Sequence, residues 1–126
     1  MENFKHADVT RTVIKGFYSV YNNLGYGFLE RVYENSLAIE LQLLGLTVEQ
    51  QKRITVYYRD QIVGEYQADM VVNDRVIVEL KSSELISQAH EAQLVNYLKA
   101  TKYEVGLILN FGKGAQFKRK IFDIGR

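Results

Sequence analysis

A mixed α/β sandwich, with helices before and after a three-strand meander, is the fold this sequence predicts. Three observations carry the prediction. Apolar residues recur at helical spacing as far as Leu44. From Thr47 the pattern changes to strand-like runs rich in Val, Ile and Tyr. One further helical stretch separates the third such run from the fourth. The order reads α-α-β-β-β-α-β-β, a mixed central sheet flanked by helices.

Each element has its own signal. Val9, Val13, Phe17, Val20, Tyr21 and Leu24 form one face of a helix that Gly25 and Gly27 interrupt. A second helix is expected from about Leu29 to Leu44, with Leu29, Val32, Tyr33, Leu37, Leu41 and Leu44 turned inward and Gly45 at its C-terminal end. Thr47 to Arg59 and Ile62 to Val72 read as strands joined near Asp60-Gln61. Asn73-Asp74 marks a turn before a third strand, Val76 to Lys81. Ser87 is placed to cap a helix over Gln88 to Thr101. Val105 to Asn110 and Gln116 to Phe122 complete the sheet.

Composition bounds what such a domain does. The 126 residues fit one domain, 1–126, large enough to bury a core. Hydrophobic residues at 47% and charged residues at 25% are ordinary for a globular protein. The absence of cysteine excludes disulfides, thiolate catalysis and Cys-ligated zinc. The opening MENFKHADVT has no apolar core of a secretory signal, and no apolar run is long enough to span a bilayer. A cytoplasmic location and no membrane partner are the expectation. A net charge of +1 does not mark a nucleic-acid binder. The last segment is nevertheless basic: Lys113, Lys118, Arg119, Lys120 and Arg126 face a single acid, Asp123. It reads either as a solvated strand and tail or as a set of phosphate contacts.

The third strand carries the chemistry. Side chains alternate across a strand, so Val76, Val78 and Leu80 share one face while Ile77, Glu79 and Lys81 share the other. Two charged groups in a central strand are costly unless they pair or bind a metal. Asp69 lies in the preceding strand inside another apolar stretch. Its register decides whether it meets Glu79. A two-residue Asn73-Asp74 loop sets Asp69 opposite Val78, whereas a three-residue loop or a bulge sets it opposite Glu79. On the third helix Gln93 and Tyr97 stand at i and i+4, beside the stripe of Leu94 and Leu98. A glutamine there is placed either at a plain core boundary or where it orients a water or phosphate near the carboxylates. His90 is expected at the surface without a catalytic role. Glu30 opens the second helix, where its charge suits the helix dipole. Glu34 and Glu40 read as solvated.

Gly27-x-x-Glu30-x-x-Tyr33 resembles the signature of the small GxxExxY protein family. The resemblance continues through Ala68-Asp69-Met70-Val71-Val72, Val78-Glu79-Leu80-Lys81, the stretch 92–101 that contains Gln93 and Tyr97, and the stretch 106–112. That family is similar to the PD-(D/E)xK nuclease superfamily. Gln93-x-x-x-Tyr97 also resembles the Q-x-x-x-Y motif in the nuclease modules of bacterial recombination enzymes and CRISPR-associated exonucleases. Ala68 stands where the family commonly has a proline before the acid. The resemblance implies metal-assisted hydrolysis of phosphodiester bonds, with nucleic acid as substrate and DNA ahead of RNA. It implies Asp69, Glu79, the Leu80 carbonyl and Glu30 as oxygen donors for Mg2+ or Mn2+. Lys81 would orient the attacking water and offset developing charge. Gln93 would position water or phosphate, while Tyr33 and Tyr97 would shape the pocket wall. Two other readings stand beside it. One is a non-catalytic nucleic-acid or protein-binding module on the same scaffold. The other is a nuclease that works only as a homodimer or with a protein partner.

Overall fold

The computed structural model describes residues 5–123. Two helices, α1 (Ala7–Leu24) and α2 (Glu30–Leu43), precede the strands β1 (Val48–Tyr58), β2 (Gln61–Val72) and β3 (Val76–Lys81). Helix α3 (Gln88–Lys99) leads to β4 (Val105–Phe111) and β5 (Ala115–Ile121). The five strands form one sheet in the order β1-β2-β3-β4-β5. All neighbours are antiparallel except β3 and β4, which run parallel because α3 carries the chain back across the sheet. This is the expected order of elements.

Each sheet face is covered. Phe17, Leu37, Leu41, Met70, Val78 and Leu107 meet beneath α1 and α2. Ile77, Leu94, Leu98 and Ile108 meet beneath α3. β4 is buried along its whole length and β3 in all but Lys81. Covered on both sides, these two strands read as continuous apolar runs rather than alternating ones.

Several local features end where the sequence placed them. Ser87 caps α3 by accepting the His90 N–H, and His90 Nδ1 accepts the Ser87 N–H in return. At the end of α2, Gly45 and Leu46 donate to the Gln42 and Leu41 carbonyls, the paired bonds of a Schellman cap. Other expectations need correction. Leu29 is 79% exposed and Val32 is also at the surface. The helix starts at Glu30, so Leu29 is an extended residue before it, and the inward stripe is Tyr33, Leu37 and Leu41. α3 ends at Lys99, two residues short of Thr101.

The turn between β2 and β3 sets the geometry that follows. Val72 pairs with Val76, so Asn73, Asp74 and Arg75 form a three-residue loop. Asn73 and Asp74 both adopt positive φ, which asparagine and aspartate tolerate. The loop is tied down from two sides. Asn73 Oδ1 accepts the Thr47 N–H at 2.8 Å, and Asp74 accepts from Tyr103 Oη at 2.7 Å and Lys102 Nζ at 2.8 Å. Among the described residues no helix is long and apolar enough to cross a membrane.

Candidate active site

The three-residue loop settles the register between β2 and β3. Met70 lies opposite Val78, and one further step sets Asp69 across from Glu79. The strands part at that step. Instead of a backbone pair, each carboxylate takes a backbone N–H from the other strand. Leu80 N–H donates to Asp69 Oδ2 at 2.7 Å, and Asp69 N–H donates to Glu79 Oε2 at 2.9 Å. The two acids thus close the end of the ladder with side-chain bonds, and each retains a second oxygen.

A local reversal in the β1–β2 ribbon presents Asp69. Ala68 and Val71 both belong to the core under α3, while Met70 and Val72 belong to the core under α1 and α2. Regular alternation would place Ala68 with Met70, so the strand turns over at Asp69. β1 turns over beside it. Gln50 pairs with Met70 and Lys52 with Ala68, and the intervening Gln51 has a left-handed φ of 53°. That conformation costs a non-glycine residue about 1–2 kcal/mol. Gln51 and its neighbour Gln50 donate through Nε2 to the two oxygens of Glu34, at 2.9 and 2.8 Å.

Glu34 is therefore buried, contrary to the expectation of a solvated acid. Two amides and Arg31, at 3.7 Å, offset the cost of its charge. Its charge acts on Asp69. The spacing from Glu30 was the available signal, since i and i+4 place both acids on one helix face. Glu40, read the same way, is half-exposed.

The electrostatics follow from burial. Glu79 is pushed up to about 8, first by desolvation and then by the Asp69 charge, against the Asp69 N–H and Lys81. Asp69 is raised as well, again first by desolvation; the Leu80 N–H opposes, and Glu34 and Glu30 add to the rise. Tyr97 is raised by its own desolvation and by the charges of Glu79 and Asp69, so its hydroxyl belongs to the same neighbourhood. Lys81 ends β3 half-buried and lowers both carboxylates.

The remaining expected residues divide. Glu30 is exposed at the start of α2, with Ser82 Oγ 3.4 Å from its Oε2, and its charge reaches both Asp69 and Glu79. It does not complete a preformed cage: among the described residues no group of three or more His, Asp or Glu side chains is close enough to hold a metal. Gln93 is exposed and lines a cleft on α3 together with Tyr97. Tyr33 does not form a pocket wall. It is fully buried, stacked on Phe111 at 4.3 Å, and its hydroxyl donates to the Gly25 carbonyl at 2.6 Å and accepts the Phe28 N–H at 3.2 Å.

The basic segment is split by strand alternation. Lys118 and Lys120 lie opposite Ile108 and Gly106, on the α3 face, whereas Arg119 lies opposite Leu107 on the other. Lys120 pairs with Glu91 at 2.5 Å, and Arg119 donates to the Lys5 carbonyl at 2.6 Å. Lys113 and Lys118 remain exposed, so these residues do not make one patch. Arg126 lies outside the described residues. Sequence reasoning missed Asn110, which is fully buried at the end of β4. Its side chain accepts the Ser83 N–H at 3.0 Å and donates to the Ser83 carbonyl at 2.8 Å, clamping the chain where it leaves β3.

A family model described as the PD-(D/E)XK nuclease superfamily matches residues 7–122. The fold is similar to that of SSO0001, a crystal structure, with a TM-score of 0.59 at 16% identity. The match covers 94% of this chain and 60% of that one, so the chain spans about three fifths of that structure's length. No curated protein matches the chain. With the family model extending from α1 to the end of β5, the chain belongs to the PD-(D/E)XK nuclease superfamily.

Proposed function

We propose that this domain, 1–126, is a metal-dependent nuclease of the GxxExxY type that hydrolyses phosphodiester bonds, with DNA ahead of RNA as substrate. The observation that carries the reading is the Asp69–Glu79 pair. A buried glutamate and a half-buried aspartate face each other where β2 and β3 part, each fixed by one backbone N–H and each with an oxygen to spare. A structural role would not need a buried glutamate whose pKa is raised by an aspartate set beside it.

The donors suit a hard divalent cation. All are oxygens, and the chain has no cysteine to favour a softer metal. Mg2+ is commonly held by one or two carboxylates, with water and substrate phosphate filling the remaining positions, so a third protein acid is not required. Asp69 and Glu79 would hold Mg2+ or Mn2+. The Leu80 carbonyl would assist, since an extended residue directs its C=O and N–H to the same side, here toward Asp69. Glu30 would complete the metal's shell, directly or through water. Such a cation supplies Lewis acidity toward water and phosphate oxygen.

Lys81 orients the attacking water and offsets the negative charge that grows on the phosphate. Water forms the new bond to phosphorus as the bond to the leaving oxygen breaks, and that oxygen takes up a proton. Gln93, two turns along α3 from its capped end, positions water or phosphate from the adjoining cleft, and Tyr97 forms the wall between them. Lys113 and Lys118 contact phosphates farther along the strand. The protein acts in the cytoplasm, and a homodimer or a protein partner extends its grip on substrate.

The test is a cleavage assay on mixed DNA and RNA substrates with and without Mg2+ or Mn2+. Wild type should cleave only with metal. Lys81→Ala should lose roughly a hundredfold or more in rate while binding falls only modestly, because its role lies in the transition state. That no three-acid cage is preformed among the described residues favours a second reading, a non-catalytic binding module. That reading requires no metal-dependent cleavage by wild type on any substrate.

A further inference from the structure

The outer half of the β1–β2 ribbon carries aromatic side chains to solvent. Tyr57 is 62% exposed and Tyr66 is 49% exposed. With Tyr97 they line a cleft of about 630 Å3 between the ribbon and α3, and Gln93, Asn96 and Lys99 also line it. That size is within the usual range for a small-molecule site. The Tyr66 and Tyr97 rings lie 5.8 Å apart and tilted by 43°, so they do not close on each other as a flat stack.

Two backbone features build the cleft. The β1–β2 register shifts between Val56 and Tyr57, and a bulge of this kind re-aims the side chains beside it. Gly64 then leaves room for Tyr66: a Cβ at residue 64 would come within 3.2 Å of the Tyr66 ring. The cleft opens on the sheet face that also bears the carboxylates' neighbours: Tyr97, which lines it, packs in the same buried cluster as Ala68, next to Asp69, and Ile77, two residues before Glu79.

We propose that this cleft seats an unpaired base of single-stranded nucleic acid whose backbone continues to Asp69 and Glu79. The inference rests on the nuclease reading of those two acids but is tested by binding alone. Tyrosine faces stack on any base, contributing about 1–3 kcal/mol per base. The amides of Gln93 and Asn96 offer donors and acceptors to a base edge, and Lys99 offers charge to a phosphate. A duplex keeps its base faces stacked inside and would leave the tyrosines unused. It would also need a broad basic surface, whereas the net charge is +1 and the β5 cations are divided between two faces.

The experiment measures fluorescence anisotropy of labelled oligothymidylate and oligouridylate of about twelve nucleotides, and of a duplex of equal length. The full chain is used, with EDTA present to prevent cleavage. Both single strands should bind more tightly than the duplex, and the tighter of the two identifies DNA or RNA as the source. The double variant Tyr57→Ala, Tyr66→Ala should weaken single-strand binding roughly tenfold, and Tyr66→Phe, which keeps the stacking face, should retain it. Both tyrosines are exposed, so these variants should fold. A duplex that binds as tightly as the single strands would overturn the proposal. So would an alanine variant that binds them like wild type, including one altered only in its oligomeric state. Intact single-strand binding without metal-dependent cleavage would remove the nuclease reading and leave this inference standing.

Discussion

Glu79 holds its proton far above the ordinary glutamate range because burial penalises the charge and Asp69 repels it. The sign of the resulting pH dependence is definite. In the unfolded chain the group titrates near 4.5, and in the folded protein near about 8. Between those values the folded state binds more protons than the unfolded state, so stability is complete below about 4.5 and is lost as pH rises through about 8. Asp69, also raised, acts in the same direction. Chemical denaturation of metal-free protein should therefore show stability falling from pH ~5 to ~8.5, by on the order of a few kcal/mol. Glu79→Gln carries no charge to desolvate and should flatten most of that slope. Equal slopes in wild type and variant would refute burial of this carboxylate as the cause.

At the scale of elements, the Gly27-x-x-Glu30-x-x-Tyr33 segment has a mechanical explanation. Tyr33 sits one turn into α2 and reaches back to bond the Gly25 carbonyl and the Phe28 N–H. It thereby fixes the loop from which Glu30 begins the helix. Tyr33→Phe should cost about 0.5–1.5 kcal/mol or somewhat more in urea unfolding, since it removes two part-buried hydrogen bonds to the backbone. The loop after β3 is held as tightly from the other side. A Cβ on residue 112 would stand 2.3 Å from the Ser83 carbonyl oxygen, a backbone atom that cannot rotate away. Gly112→Ala should destabilise by roughly 1–3 kcal/mol. If Gly112→Ala unfolds like wild type, that close approach is not a constraint on the fold.

For the whole molecule, the sheet gathers charge of one sign at one place. Asp69 raises Glu79, and Glu30 and Glu34 raise Asp69 in turn. Lys81 lowers both acids without abolishing either shift. A divalent cation relieves such repulsion. Mg2+ or Mn2+ should raise the melting temperature by on the order of a few degrees near neutral pH, because it binds the folded state. Asp69→Asn or Glu79→Gln should remove most of the gain. A rise of the same size in wild type and both variants would place the cation elsewhere on the molecule.

By itself the sequence determined the order of elements, the boundaries of β3 and the N-terminal cap of α3, because helical period, strand alternation and turn chemistry are local properties. It also singled out Asp69, Glu79 and Lys81, since charge inside an apolar strand is visible without a structure. Only the tertiary structure decided what those groups face. The register that sets Asp69 across from Glu79 depends on a third loop residue, Arg75, and on Thr47, Lys102 and Tyr103, which hold the loop from a distance. Glu34 looked solvated because its partners, Gln50 and Gln51, lie on another element. Tyr33 looked like a pocket wall because Phe111, on which it stacks, is far along the chain. Whether Lys118, Arg119 and Lys120 made a solvated strand or one phosphate-contacting patch was open until strand alternation divided them between faces. In each case the deciding energy is a contact between residues remote in sequence, which no local pattern encodes.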